Sequence, residues 1–313
     1  MRLKVTHLSR ALLLALAAMV LSPSARPQAQ PDFSKTEIKT TRITEHFYTL
    51  EGQGGTIGIL VGSDGVFMVD SEFAPLTDKI VAAVKQITDA PIRFLVDTHF
   101  HGDHTGGNEN FSRMGVTIIA RDELRKRLAE GAPAVNGAGG RPPAPPAALP
   151  TITYQGKMTV HMNDENVELI PIPRAHTDGD TIVGFPENNV LMTGDVYRSL
   201  GYPNIDRANG GTLNGIIDGL AYIVYNSGPD TRIIPGHGPV VAKERIRLDR
   251  EMILAVRDKI AQLIQQGKSE QEVIAAHPTA EYDAKVRQGA ETADRFVSQV
   301  YQEIKSGSAG SSH

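Results

Sequence analysis

Cysteine is absent from all 313 residues, so neither a disulfide framework nor thiolate ligation is open to this chain. Any metal must bind through imidazole and carboxylate. Aromatic residues make up only 5% and the formal charge is -4, which leaves no base-stacking platform and no basic surplus to coat a phosphate backbone. Nucleic acid is excluded as a partner on both counts. Long apolar runs are missing too: residues 11–21 form an apolar run, but it falls short of the roughly 20 residues that span a bilayer. What remains, 40% hydrophobic and 22% charged, is the composition of an ordinary globular protein.

The beginning has an order of its own. Arg2, Lys4 and Arg10 precede the apolar run, and a small, Pro-rich stretch, residues 22–30, follows it. That is the order of a secretory signal peptide, so residues 1–25 are read as a leader cleaved near Ser24 or Ala25. The mature protein is then expected in the periplasm or outside the cell, with no stable membrane insertion after cleavage. An exported chain without cysteine draws its stability from its core and from a bound metal.

Hydrophobic periodicity divides the rest. Residues 43–70 alternate like strands and are broken by Gly-rich turns, which implies an antiparallel start. Ile80, Val81, Val84 and Ile87 have helical spacing, and Pro91 closes the connection to a strand at Ile92–Val96. A strand at residues 116–120 and a helix at Asp122–Glu130 repeat the alternation. Residues 131–150, rich in Gly, Ala and Pro, read as a long surface loop that could act as a lid. Strands are predicted again at residues 151–154, 157–162, 166–172, 181–185, 190–193 and 232–235, with a helix over 212–226. After Pro239 two helical stripes follow, one through Met252, Ile253, Val256 and Ile260, the other through Phe296, Val297, Val300 and Ile304. These are core contacts. The Ser/Gly-rich end, residues 307–313, is expected to be a flexible tail.

The chemistry gathers at residues 98–107, THFHGDHTGG, directly after the apolar strand Ile92–Val96. In an extended segment His99 and His101 share one face, so two imidazole nitrogens can meet one ion. Gly102 lets the backbone turn, and Asp103 and His104 can then point to a second ion beside the first. So dense a set of polar, metal-competent side chains would be costly to bury without a cation. The scattered His7, His46, His161, His277 and His313 read as surface or structural residues.

The motif resembles the metal loop of the metallo-β-lactamase superfamily, and the resemblance extends in order over residues 43–240. His176 in PRAHTDGDT, Asp195 in LMTGDV and His237 in IIPGHGP each follow a predicted strand. The resemblance implies an α/β fold, a four-layer αββα sandwich over residues 40–240, with extra C-terminal helices over 241–306 packed on the same domain. It also implies that His99, His101 and His176 hold one metal, that Asp103, His104 and His237 hold a second, and that Asp195 bridges both. Asp70, in VFMVDSEF, would be a buried carboxylate supporting the metal loop, with a helix N-cap as the plain competitor. Asp178 and Asp180 read first as turn or capping residues.

Two Zn2+ per chain, with Fe or Mn as alternatives, would activate a bridging hydroxide near neutral pH, and Asp103 would orient it as the catalytic carboxylate. The expected activity is that of an exported zinc hydrolase of small cyclic amides or esters, of the β-lactam or lactone type. β-Lactamases of the superfamily commonly have Cys at the position of Asp195 or lack a ligand there, so the set also resembles glyoxalase II, lactonases and phosphodiesterases. A thioesterase, a phosphodiesterase and a mononuclear iron enzyme like the persulfide dioxygenases are the alternatives. Arg198, Tyr202 and Arg207, soon after Asp195, are candidates to read a small-molecule substrate, as is the Gly-rich turn at residues 52–55. Nothing in the residues speaks to oligomeric state.

Overall fold

Alternation along the strands decides the layering. In β4 (Gly65–Val69), Phe67 and Val69 belong to one apolar cluster while Val66 and Met68 belong to another. Successive side chains of a strand point to opposite faces, so a strand apolar on both faces must be covered on both. The computed structural model, which describes residues 32–131 and 141–310, meets that demand with two sheets back to back. The leader read at residues 1–25 and the last three residues of the tail lie outside the described residues.

The first sheet has seven strands in chain order: β1 (Lys39–Arg42), β2 (Phe47–Glu51), β3 (Ile57–Gly62), β4, β5 (Ile92–Val96), β6 (Thr117–Arg121) and β7 (Ile152–Tyr154). β1 through β4 pair antiparallel, and β4 through β7 pair parallel. The second sheet contains β8 (Met158–Met162), β9 (Glu165–Pro171), β10 (Thr181–Phe185), β11 (Val190–Met192) and β12 (Arg232–Ile234), with only β11 and β12 parallel. Between the sheets Phe47, Phe67 and Val96 meet Leu169, Val183 and Phe185, and the rings of Phe47 and Phe185 stand edge to face 4.6 Å apart.

Helices close both outer faces. α1 (Thr77–Lys85) and α3 (Asn108–Arg113) cover the first sheet, where Ile80, Val84 and Phe111 pack on Ile59, Met68 and Leu95. The outer face of the second sheet is covered by α5 (Leu213–Asn226), α6 (Lys243–Gln265) and α9 (Gly289–Gly310), with α7 (Glu270–Ala275) beside them. Ile182, Leu191 and Ile233 join Ile216, Val256 and Phe296 in that core. The result is a four-layer αββα sandwich with additional C-terminal helices. Of the remaining helices, α4 (Asp122–Glu130) lies on β6, while α2 (Gly102–Thr105) and α8 (Ala280–Asp283) are single turns.

Three differences from the sequence reading have local causes. Asp103 and His104 sit within a helical turn, α2, because the amides of His104 and Thr105 both donate to His101 O. Of the loop read at 131–150, residues 132–140 lie outside the described ones, whereas residues 141–150 contain a tight turn at Pro146–Ala148 with Ala148 buried. The tail is shorter than expected, since α9 carries helix to Gly310. No helix among the described residues is long and apolar enough to cross a membrane.

Candidate metal centre

Parallel pairing gathers the chemistry. Strands β4 and β5 run the same way, as do β11 and β12, so the loops leaving them open at shared sheet edges. Asp70 follows β4, residues 97–104 follow β5, Asp195 follows β11 and His237 follows β12; His176 comes from the turn between β9 and β10. All seven expected ligands come together. Their donor atoms form three groups, each within 4.8 Å: His99, His101 and His176; His99, His104 and Asp195; and Asp103, His104 and His237. His46, His161 and His277 belong to none of these groups.

Three of the imidazoles are turned by a bond on their far side. His101 Nε2 meets Asp206 Oδ2 at 2.8 Å, His104 Nδ1 meets Asp70 Oδ2 at 2.7 Å, and His176 Nδ1 donates to the Asn204 carbonyl at 2.6 Å. The remaining nitrogens face inward: His101 Nδ1 stands 2.9 Å from His176 Nε2, and His104 Nε2 stands 3.4 Å from His237 Nε2. His99 Nε2 and Asp195 Oδ1 are buried with no hydrogen-bond partner among the described residues. Inward lone pairs and orphaned buried atoms are costly as they stand. They fit a cation, and the His and carboxylate donors are those zinc accepts.

Asp195 lies between the two ends of the cluster. Its Oδ1 is 3.3 Å from His237 Nε2 and 3.6 Å from His104 Nε2, while its Oδ2 is 3.7 Å from His176 Nε2. Asp103 Oδ2 is 3.2 Å from His237 Nε2. Burial disfavours the charge on Asp195, but the His237, His176 and His104 side chains and Arg198 around it lower it to about 2. Burial pushes His99 well below the ordinary imidazole range and His176 to about 4, leaving both neutral and able to donate a lone pair. Two glycines are required by closeness alone: a Cβ at Gly55 would enter the His104 ring, and one at Gly236 would strike Asp195 Oδ1.

Asp70 supports the loop from beneath. Its carboxylate accepts from Thr98 N at 2.7 Å and Thr98 Oγ1 at 2.8 Å besides facing His104. The backbone there is left-handed, φ +62°, a strained conformation for a non-Gly residue. The N-cap of the next turn, Ala74–Leu76, is Phe73 and not Asp70. Asp178 pairs with Arg127, and buried Asp180 accepts from Thr177.

The three substrate-reading candidates part company. Arg198 Nη1 lies 4.0 Å from Asp195 Oδ2, at the edge of the cluster. Tyr202 does not face it: fully buried, it stacks on Phe296 with centroids 5.4 Å apart and donates its hydroxyl to Asp283. Arg207 is turned away as well, donating to Gln302 and Ser306 of α9. Apolar packing and the C-terminal helix claim both side chains. The turn at 52–55 is held by Glu72, which accepts from the amides of Gly52, Gln53 and Gly54. It borders a groove of about 590 Å³ that also contains Leu200, His237 and Arg287.

Sequence reasoning missed Asp206, Asn204, Glu72 and Arg141. Arg141 donates to Phe100 O at 2.5 Å and to Thr105 Oγ1, bracing the metal loop from the side. Asp206 also caps the turn Arg207–Asn209, so its local signal was that of an ordinary capping residue.

Comparison with known proteins agrees with this geometry. A linear primary-alkylsulfatase of Pseudomonas sp. (strain ATCC 19151) is 23% identical over 76% of this chain. The chain spans about half that relative's length, 53%. The metallo-beta-lactamase type 2 of Bacteroides fragilis is 20% identical over 69% of this chain and 86% of its own. Among solved structures, a metallo-beta-lactamase from Pontibacter korlensis superposes with TM-score 0.57 at 18% identity, covering 70% of this chain and 99% of its own. A sec-alkyl sulfatase double mutant reaches 0.67 at 16% identity, covering 85% of this chain and 50% of its own. With the family model matching residues 51–241, more than half of the molecule, the chain belongs to the metallo-beta-lactamase superfamily of metal-dependent hydrolases.

Proposed function

We propose that this protein is an exported dinuclear zinc hydrolase that opens a small cyclic amide or ester, of the β-lactam or lactone type, in the groove beside His237. One observation carries the reading: two three-donor groups, His99/His101/His176 and Asp103/His104/His237, lie on either side of a single buried carboxylate, Asp195. Two zinc ions held there would supply Lewis acidity and lower the pKa of a shared water from 15.7 to about 7.

The chain's own groups then have distinct tasks. Asp103, which keeps about 30% of its side chain exposed, is the carboxylate able to orient the attacking water and accept its proton. Asp195 stays ionised and holds the two donor groups at a fixed separation. Asp70 and Asp206 keep His104 and His101 aimed inward. The groove beside His237 has the size of a small-molecule site. Leu200, Pro239 and Val240 line it with apolar surface and Arg287 adds a positive charge.

The similarity to β-lactamases supports the cyclic amide. A sulfate ester is the second reading, because the alkylsulfatase matches extend over more of this chain, 76% and 85%, than the β-lactamase matches at 69% and 70%. Metal analysis of the purified protein, with a panel of β-lactam, lactone, thioester, phosphodiester and alkyl sulfate substrates, tests the proposal. Two zinc ions per chain and turnover of a β-lactam or lactone are expected. Turnover of the alkyl sulfate alone would replace the substrate class, and one iron per chain would replace the hydrolase by an oxygenase. Export, proposed from residues 1–25, is tested by whether the mature chain recovered from the periplasm lacks them.

A further inference from the structure

Two imidazoles of the His99/His101/His176 group are aimed by one short stretch of chain. Residue Asn204 offers its carbonyl to His176 Nδ1, and two residues later Asp206 offers Oδ2 to His101 Nε2. Those two bonds leave His176 Nε2 and His101 Nδ1 facing each other. Residues 204–206 belong to no strand or helix, so no ladder of their own holds them in register.

Asp206 is held locally, its amide donating to His176 O and its carboxylate accepting from Asn209 Nδ2, whereas Asn204 and Ile205 are held by α9, on the far side. Gln299 grips the stretch with both ends of its amide: Oε1 accepts from Ile205 N at 3.1 Å, and Nε2 donates to Asn204 Oδ1 at 3.0 Å. Just upstream, Thr292 Oγ1 accepts from Tyr202 N at 2.8 Å and Arg295 donates to Tyr202 O. One helix therefore fastens the stretch along successive turns, and Gln299 is the contact of α9 that reaches residues 204 and 205 themselves. The Asp103/His104/His237 group has different supports. His104 rests on Asp70, and the His237 carbonyl accepts from Ser199 N.

We propose that α9 is a positioning element for the His99/His101/His176 group, with Gln299 as its positioning residue. By fixing Asn204 and Ile205, which lead into Asp206, it fixes the direction of His101 Nδ1 and His176 Nε2, and so the affinity of that group for its metal. The proposal rests on the dinuclear reading. It gives the C-terminal helices a task in the chemistry beyond covering a sheet.

Stepwise Co2+ titration of the full metal-free chain, followed by visible absorption, separates the two binding events. Gln299→Met keeps the length of the side chain and removes both bonds; it is expected to weaken one event by about 10- to 100-fold and leave the other within about twofold. Gln299→Glu is expected to restore wild-type binding, because its carboxylate still accepts from Ile205 N and the Asn204 amide can turn to donate. Ser298→Ala cuts a bond of the same helix that leads away from the site, to Glu270 of α7, and should change neither event. Should Gln299→Met fail to fold, Asn204→Ala removes the acceptor end of the bridge and is expected to give the same selective loss. Wild-type binding of both ions by a folded Gln299→Met, equal weakening of both events, or the same loss in Ser298→Ala would overturn the proposal. A single binding event in the wild type would instead overturn the dinuclear reading, and the role of α9 with it.

Discussion

The metal loop at residues 97–107 and the stretch at 197–211 both border the donor cluster, yet they are held in opposite ways. The loop contributes four of the seven clustered donors and is held from nearer in sequence: two amides of α2 donate to His101 O, Asp70 grips Thr98, and Arg141 braces Phe100. The stretch after Asp195 contains no strand, only a tight turn at Arg207–Asn209, and is fastened in part by residues nearly a hundred positions away on α9. The loop concentrates four donors in sequence, as a cation site that needs several donors within a few ångströms would require. Supporting segments have no such demand and can be held by any element that packs nearby.

By that contrast the largest effect belongs to the loop. Asp103→Ala is expected to lower turnover roughly 10³-fold or more with an unchanged far-ultraviolet circular dichroism spectrum; near-wild-type activity would remove Asp103 from the chemistry. Next comes the support beneath the loop. Asp70→Ala leaves Thr98 N and His104 Nδ1 unpaired in a buried setting and should cost about 3 kcal/mol in denaturant unfolding. A loss under about 0.5 kcal/mol would mean that the carboxylate is dispensable.

The pH dependence of the metal-free protein sharpens the comparison between imidazoles. Burial alone would lower His104, but Asp70, Asp103 and Asp195 outweigh it and raise it to about 10. Burial, helped by His101, takes His176 the other way, to about 4. An unfolded imidazole titrates near 6.5. The contribution of His104 is therefore complete below about pH 6.5 and is lost as pH rises through about 10. His176 must stay neutral in the fold, so it weakens the native state as pH falls from about 6.5 to about 4. Thermal melting of the metal-free chain should be highest near pH 6.5 and decline on both sides; a flat profile from pH 4 to 10 would contradict the assignment. The smallest effect is expected at Tyr202, where Tyr202→Phe should cost about 1 kcal/mol and leave KM unchanged. A raised KM would return Tyr202 to the substrate.

The layers of the fold were legible wherever one periodicity ruled. Strands β3 through β6 and the stripe of α6 through Met252, Val256 and Ile260 stand close to where alternation and helical spacing predict them. The turn α2 was not legible, because its single helical turn is stabilised by His101 O and not by an apolar stripe. Among the site residues, His99, His101, Asp103 and His104 announced themselves by type and spacing, while His176, Asp195 and His237 were read through the family resemblance and their places after predicted strands. Asp206 was not legible, since an Asp before Arg-Ala-Asn-Gly-Gly is an ordinary turn residue until folding places His101 against it. Tyr202 misled for the converse reason: nearness in sequence to Asp195 says nothing about which way a side chain turns.

The order of residues alone determined that any metal must be held by imidazole and carboxylate, because thiols are missing, and it marked which strand ends carry those groups. Only the tertiary structure decided which nitrogen of each histidine faces inward, and which distant carboxylate, carbonyl or helix holds it there. A ligand's identity is a property of one residue, whereas its aim depends on a hydrogen bond whose partner is chosen when separate layers pack together.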